Sequence, residues 1–307
     1  MKANFLNKVH LEGLLYEHNL TKKVSGPNTK NPGTEFITGT ISIATDDDCV
    51  NIVPVHYTYV VAVTKKGTAN STFTNLSNIL NGAWKTVVGA GVENASKVAI
   101  DTTIDLNEFY SDRSGKEELV SVKRNEGGFI HAIQAYSNDR NSFRADMIIT
   151  NIIEQEADEE KGLPYRATIK GTIFQNFTKA LLPTSFTLIN EAGIKFFLDN
   201  DVNPKNPAFI EVRGNQISET IVKRIEEESS FGDNYVREVT SNRKDYQVKS
   251  CGLLQEWDSD ATILASELAS KMTERETYLA TLKQRQDDYK ANKNSGSVTS
   301  NNDGFNF

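Results

Sequence analysis

The pentapeptide Ile-x-Gly-Thr-Ile occurs twice, at 37–41 and at 169–173, 132 positions apart. Each copy lies in a stretch where β-branched residues alternate, EFITGTISIAT (35–45) and YRATIKGTIF (165–174). Such alternation marks a half-buried strand, and a glycine inside it marks a bend or a close backbone approach. The echo therefore reads as the visible edge of a duplicated small β domain. A chance match of five strand-favouring residues is the competing reading.

The order of elements around each copy supports duplication. In the first part, strands are expected at 7–18, 35–45 and 50–63. A helix follows at 73–87, where Leu76, Ile79, Leu80 and Trp84 fall at helical spacing, with Trp84 on its core stripe. Strands return at 97–106 and at 119–123 with 129–134, turned at Gly127-Gly128. The segment LTKKVSGPNTKNPG (20–33) reads as a long turn. Three strands, a helix and two strands is the order of an OB-fold, a small partly open Greek-key barrel. The second part follows the same plan, with strands at 146–156, 165–174 and 185–189, a helix at 191–199, and strands at 207–217 and 235–248.

The expected fold class is therefore mainly β with added helices: tandem OB-like Greek-key barrels, a long C-terminal helix and a flexible tail. The boundaries are 1–140 for the first barrel, 141–255 for the second, 256–293 for the helix and 294–307 for the tail. The helix is expected over 258–290, a run without Gly or Pro, packing on the second barrel or serving self-association. The tail, NSGSVTSNNDGFNF, is too polar to order itself.

Composition narrows the function. No stretch approaches the roughly 18 apolar residues of a membrane helix, and the N-terminal MKANFLNKVH lacks the pattern of a secretory signal. Cys49 and Cys251 match no metal or redox spacing and read as thiols in a reducing cytosol. The four histidines lack metal-site spacing. No phosphate-binding loop, dinucleotide fingerprint, nucleophile elbow or zinc-protease motif is present, so the reading is non-catalytic and without cofactor or metal. Asp46-Asp47-Asp48 and Glu226-Glu227-Glu228 read as a polar turn and a solvated edge.

Net charge is −7, but its distribution is uneven. Residues 1–140 hold 14 basic against 15 acidic side chains, and the acid excess lies beyond them. The first turn carries Lys22, Lys23 and Lys30 and no acid. Tyr57 and Tyr59 share a face by period two, with Lys65 and Lys66 close behind. The loop between the fourth and fifth strands holds Tyr110, Arg113 and Lys116. Cations that follow phosphates and flat rings that stack on bases are the two requirements of a single-strand binder. In an OB-fold these loops flank one binding face. Phe174, Phe177 and Lys179 form a poorer platform in the second barrel, whose later strands carry Arg213, Lys223, Arg224, Arg237, Arg243 and Lys244 among acids.

In strand order, in its Lys-rich and aromatic loops over 7–135 and in its tail, the chain resembles the OB-fold single-stranded DNA-binding proteins, particularly those of viral (phage) replication systems. The resemblance implies protection of single-stranded DNA during replication or recombination, with little sequence preference, in the cytoplasm (the host's, if viral). It also implies that Asp303, Phe305 and Phe307 of the tail dock replication or recombination proteins. The tail has one acid rather than a cluster and lacks a proline before the last Phe. The alternative function is a structural or assembly protein, such as a virion component, that uses its barrels for protein contacts.

Overall fold

The computed structural model describes residues 4–27, 29–113, 115–158, 163–176, 178–227, 231 and 235–294. Strand β1 (Asn7–His18) is followed by β2 (Thr21–Val24), β3 (Glu35–Ala44) and β4 (Ile52–Val61), helices α1 (Ser71–Leu80) and α2 (Val87–Ala90), and strands β5 (Lys97–Ser111) and β6 (Glu118–Ala132). Strands β7 (Asn141–Gln155), β8 (Arg166–Phe174) and β9 (Leu181–Leu188), helix α3 (Glu191–Asp199) and strands β10 (Ala208–Glu227) and β11 (Tyr235–Cys251) complete the β region, and α4 (Ala265–Asn294) ends the described chain.

Each half closes a ring. In the first, β1 pairs antiparallel with β3, β3 with β4, β1 with β5 and β5 with β6, and β4 meets β6 in parallel. In the second, β7, β8, β9, β11 and β10 make the corresponding pairs, again with one parallel contact, β11 to β9. Helices α1 and α3 occupy the same place in the order, between the third and fourth ring strands. These are tandem OB-like barrels.

The echo has a physical cause. Ile37 and Ile41, like Ile169 and Ile173, point into the core and are fully buried. Gly39 has φ +133°, and a Cβ there would stand 2.8 Å from the Asn19 carbonyl oxygen. A Cβ on Gly171 would stand 1.9 Å from the Ile148 oxygen. In both rings the second strand passes too close to a neighbouring backbone for any side chain at that position.

The rings share more than a linker. β1 and β7 pair antiparallel from Asn7↔Ala145 to Leu11↔Asn141, so one sheet runs through both. Asn125 on β6 and Gln216 on β10 exchange two side-chain hydrogen bonds, at 2.8 and 3.0 Å, in a buried joint. The Tyr246 hydroxyl donates to Asn125 Oδ1 at 3.2 Å, and the Gln216 carbonyl accepts from Asn51 and Asn141. Nearby, Lys123 lies over the rings of Phe186 and Tyr246 at 5.0 and 4.9 Å and donates to the Ser185 carbonyl. Burial lowers its pKa to about 8.

Several elements differ from expectation. The first turn contains β2, paired along the edge of β3, since no apolar alternation announces so exposed a strand. α1 ends at Leu80, where the Asn81 amide caps the helix, so Trp84 lies beyond it, packed partly buried against the core. Gly127-Gly128 makes no turn: β6 is continuous and bulges there opposite Thr102. α4 begins at Ala265 rather than 258. Residues 258–262 form bends and turns, and Asp258 accepts a hydrogen bond from the Ala265 amide at 2.6 Å. Ile263, with Leu268 of α4, packs into a cluster with Phe5, Phe174, Leu181 and Phe209. No described helix is long and apolar enough to cross a membrane.

Candidate nucleic-acid interface

The extension of the first barrel formed by β2, the start of β3 and the end of β4 is a three-stranded ribbon. Its register sets Lys23 opposite Phe36 and Phe36 opposite Val61. Paired residues share a face, and Tyr59 lies two residues before Val61. The Phe36 and Tyr59 rings meet with centroids 4.5 Å apart. The Tyr59 hydroxyl is 3.0 Å from Ser25 Oγ, which fixes the ring. Tyr59 remains 44% exposed. One ribbon face thus offers two adjoining rings with the exposed Lys23 beside them.

The other expected cations of this region fall around the ribbon. Lys22 pairs with Glu35 at 2.9 Å and lies over the Phe73 ring at 5.6 Å. Lys30 is exposed in the loop that returns to β3. Lys65 and Lys66 are exposed in the turn held by the Thr64–Thr68 hydrogen bonds, just past the end of β4.

Tyr57 is a correction. It is 2% exposed, in the core, and burial drives its hydroxyl pKa upward. Period two fails because Thr58 and Tyr59 of β4 together oppose Thr38 between the pairs Gly39↔Tyr57 and Ile37↔Val60. An extra residue in one strand re-aims the side chains after it. Tyr57 points inward and Tyr59 outward, so only Tyr59 can stack on a ligand.

Tyr110, Arg113 and Lys116 do not join the ribbon. β4 and β6 are parallel with Val55 beside Asn125, so the β5–β6 tip lies past the first residues of β4 and the ribbon past its last. At 3.3 Å per residue the two are roughly 30 Å apart along the strands. The tip is fastened to α4 instead. Gln286 accepts from the Tyr110 amide at 3.0 Å and donates to its carbonyl, and Lys283 lies over the Tyr110 ring at 5.3 Å. Glu117 pairs with Lys283 and with Lys290, the latter at 3.0 Å, which holds its carboxyl pKa below the ordinary value. Arg113 and Lys116 are exposed.

In the second barrel, Phe174 is fully buried and stacks on Phe5 at 3.8 Å, so it is no platform. Phe177 lies outside the described residues, as do Asp303, Phe305 and Phe307. Lys244 is exposed on the β10–β11 ribbon; burial, and then the charges of Arg124 and Lys244, hold His56 of β4 below the ordinary histidine pKa. This arm and β4 line an open cleft of about 490 Å³ that includes Ser42, Pro54, Ser218 and Lys244.

Phe36 is the residue that sequence reading missed. Its signal is present: in FITGTIS it stands out of phase with Ile37, Gly39 and Ile41, and alternation sets it on the outer face.

The YorF family model matches residues 6–297, and the chain belongs to that family. No curated protein sequence matches it. Among solved structures, a deletion mutant of the single-stranded DNA binding protein from Thermus aquaticus superposes with a TM-score of 0.43. Identity is 9%, over 84% of this chain and 99% of that one.

Proposed function

For this member of the YorF family we propose non-catalytic binding of single-stranded DNA with little sequence preference, in support of replication or recombination. The observation that carries the reading is the ribbon face with Phe36, Tyr59 and Lys23. Two adjoining rings, Tyr59 exposed and Phe36 half-buried beside it, can receive bases, and stacking tolerates any base because every base has a π-face. Lys22, Lys23, Lys30, Lys65 and Lys66 surround them and can follow the phosphates. Several exposed lysines close to outward-facing rings on an acidic chain favour a polyanion carrying flat groups over a protein partner.

Titration of the full chain with oligo-dT at several salt concentrations tests this. Wild type is expected to bind with a steep linear dependence of log K on log salt. Phe36→Ala/Tyr59→Ala should lose at least about tenfold in affinity, since each stack contributes about 1–3 kcal/mol. Lys22→Ala/Lys23→Ala should reduce both affinity and salt slope. Absence of oligo-dT binding by wild type, or full affinity in the Phe36/Tyr59 variant, overturns the reading.

A further inference from the structure

The sheet that joins the barrels has an outer face. Val9 and Leu11 of β1 and Phe143, Ala145 and Met147 of β7 point into the cores, so Lys8, His10, Ser142 and Arg144 point out. The register places Lys8 opposite Arg144, and Arg144 opposite Arg213 of β10. Three cations therefore stand side by side on three adjacent strands, across about 10 Å. Their side chains are 56%, 53% and 45% exposed.

Like charges directly opposite one another destabilise a sheet, and this row crosses the joint between barrels in a chain of net charge −7. Its neutralisation is incomplete. Arg144 and Arg213 both reach one carboxylate oxygen, Glu211 Oε1, at 2.7 Å each. Together they hold the Glu211 pKa down to about 2. Lys8 pairs with Asp101, which also meets His10, and the other ring nitrogen of His10 pairs with Glu12 at 3.0 Å, so the uncompensated charge lies on the arginine pair. The two other carboxylates here, Glu12 and Asp146, are buried and accept backbone hydrogen bonds from Ser137 and Leu6. Two guanidinium groups on one carboxylate leave a positive charge for an external anion.

The same face carries an exposed ring. Phe129 of β6 pairs with Asp101, Asp101 with His10 and His10 with Ser142, in a row beside the cations. Phe129 is 44% exposed and stacks with His131 at 5.4 Å. From β6 to β10 the face spans four inter-strand steps, about 19 Å.

We propose that this outer face, through Lys8, Arg144 and Arg213 with Phe129 at its margin, is a second contact surface for single-stranded nucleic acid. The inference rests on the binding activity proposed above and extends it: a long strand engages the ribbon and the joined sheet, and a short one the ribbon alone. Cations in a row beside a flat ring suit a phosphate backbone with splayed bases.

The test uses the full chain with oligo-dT of about 8 and about 30 nucleotides, lengths set by a site of 4–16 nucleotides per fold. Arg144→Ala/Arg213→Ala should bind the long oligomer about tenfold more weakly, with a salt slope lower by about 1.4, since each single-strand phosphate contact contributes about 0.7. It should bind the short one as wild type does. Glu211→Gln releases both guanidinium groups and should tighten long-oligomer binding about threefold, a gain that misfolding cannot mimic. Arg144→Lys/Arg213→Lys should keep the slope. If the Ala pair and Glu211→Gln both leave long-oligomer affinity unchanged while Phe36→Ala/Tyr59→Ala weakens it, the sheet face is not a contact surface and the ribbon reading survives. A shift of the Ala pair from oligomer to monomer in light scattering, with unchanged DNA affinity, assigns the face to a second copy of the chain and also overturns the proposal. Failure of wild type to bind either length removes both.

Discussion

Three aromatic side chains of the first barrel and three of the second are placed in opposite ways. In the first, Phe36, Tyr59 and Phe129 lie on outward faces and remain accessible. In the second, Phe174, Phe186 and Tyr246 are buried, and Lys123 of the first barrel lies over two of them. Two rings of the same topology thus divide the tasks of presenting a surface and receiving one. A duplicated fold keeps its strand order because the core demands it, while its outer residues are free to diverge. Phe186→Ala against Phe36→Ala is the sharpest test of that division. Loss of the buried ring should cost about 3–5 kcal/mol in stability, read as a shift in urea midpoint. Phe36 is half-buried and touches only Tyr59 among the described rings, so Phe36→Ala should cost about 1 kcal/mol and act on oligo-dT affinity. Similar midpoints for the two variants would erase the contrast.

Much of this organisation was legible in the sequence. The five-strand order, the helices after the third strands and the place of the echo all follow from alternation and spacing, because a barrel interior imposes period two. Tyr57 and Tyr59 show where that rule breaks: one extra residue opposite Thr38 inverts the phase, and no local pattern announces it. Phe36 was legible from its phase, whereas β2 was hidden because every residue of TKKV is exposed. The joint between barrels was not legible, since Lys123–Ser185 and Asn125–Gln216 connect positions 62 and 91 residues apart. A separation of 176 residues hid the attachment of Tyr110 to Gln286, which separates the hairpin tip from the ribbon.

Lys123 allows the receiving role to be measured by pH. Its pKa in the folded chain is about 8, below the ordinary lysine value. Below pH 8 both folded and unfolded chains carry the proton, and the cost of burying the charge is present in full. Between about 8 and 10.5 only the unfolded chain holds it, so stability rises with pH by an amount on the order of 2–3 kcal/mol. Lys123→Met keeps the stem and removes the proton. The stability difference between wild type and Lys123→Met should therefore move in favour of wild type from pH 8 to 10. A constant difference would place the ammonium group in solvent.

The amide pair at the joint should give a smaller effect. Asn125→Ala leaves the Gln216 side chain without its two bonds in a buried setting, which costs about 1–3 kcal/mol. Replacing both by apolar residues should recover part of that loss, because the Gln216 amide is then no longer stranded, although the Tyr246 hydroxyl and the Pro54 carbonyl still lose Asn125. Urea unfolding of the two single variants and the double variant completes the cycle. Additive losses would mean that the two side chains act independently and that the barrels are joined by the β1–β7 ladder and Lys123 alone.

The smallest effect concerns how the first barrel's hairpin tip is held. α4 is fastened differently at its two ends. Near its start, Leu268 packs with Ile263 in the apolar cluster around Phe174 and Phe209. Further along, Arg275 meets the buried Glu108, and beyond it Lys283 and Lys290 hold Glu117 through exposed ion pairs. Exposed pairs are screened by salt, whereas apolar burial is not. Raising NaCl from about 50 to about 500 mM shortens the screening length to a few ångströms and should speed amide exchange around 283–290 while leaving 265–272 protected. Acid should act in the same direction. The Glu117 carboxylate is held below its ordinary pKa by both lysines, so its contribution is present at neutral pH and lost as pH falls through that lowered value. Glu117→Gln should reproduce the high-salt exchange pattern at low salt. Uniform protection along α4 under all three conditions would show that the Gln286 bonds to Tyr110 suffice, and that both barrels grip their neighbours without help from exposed charge.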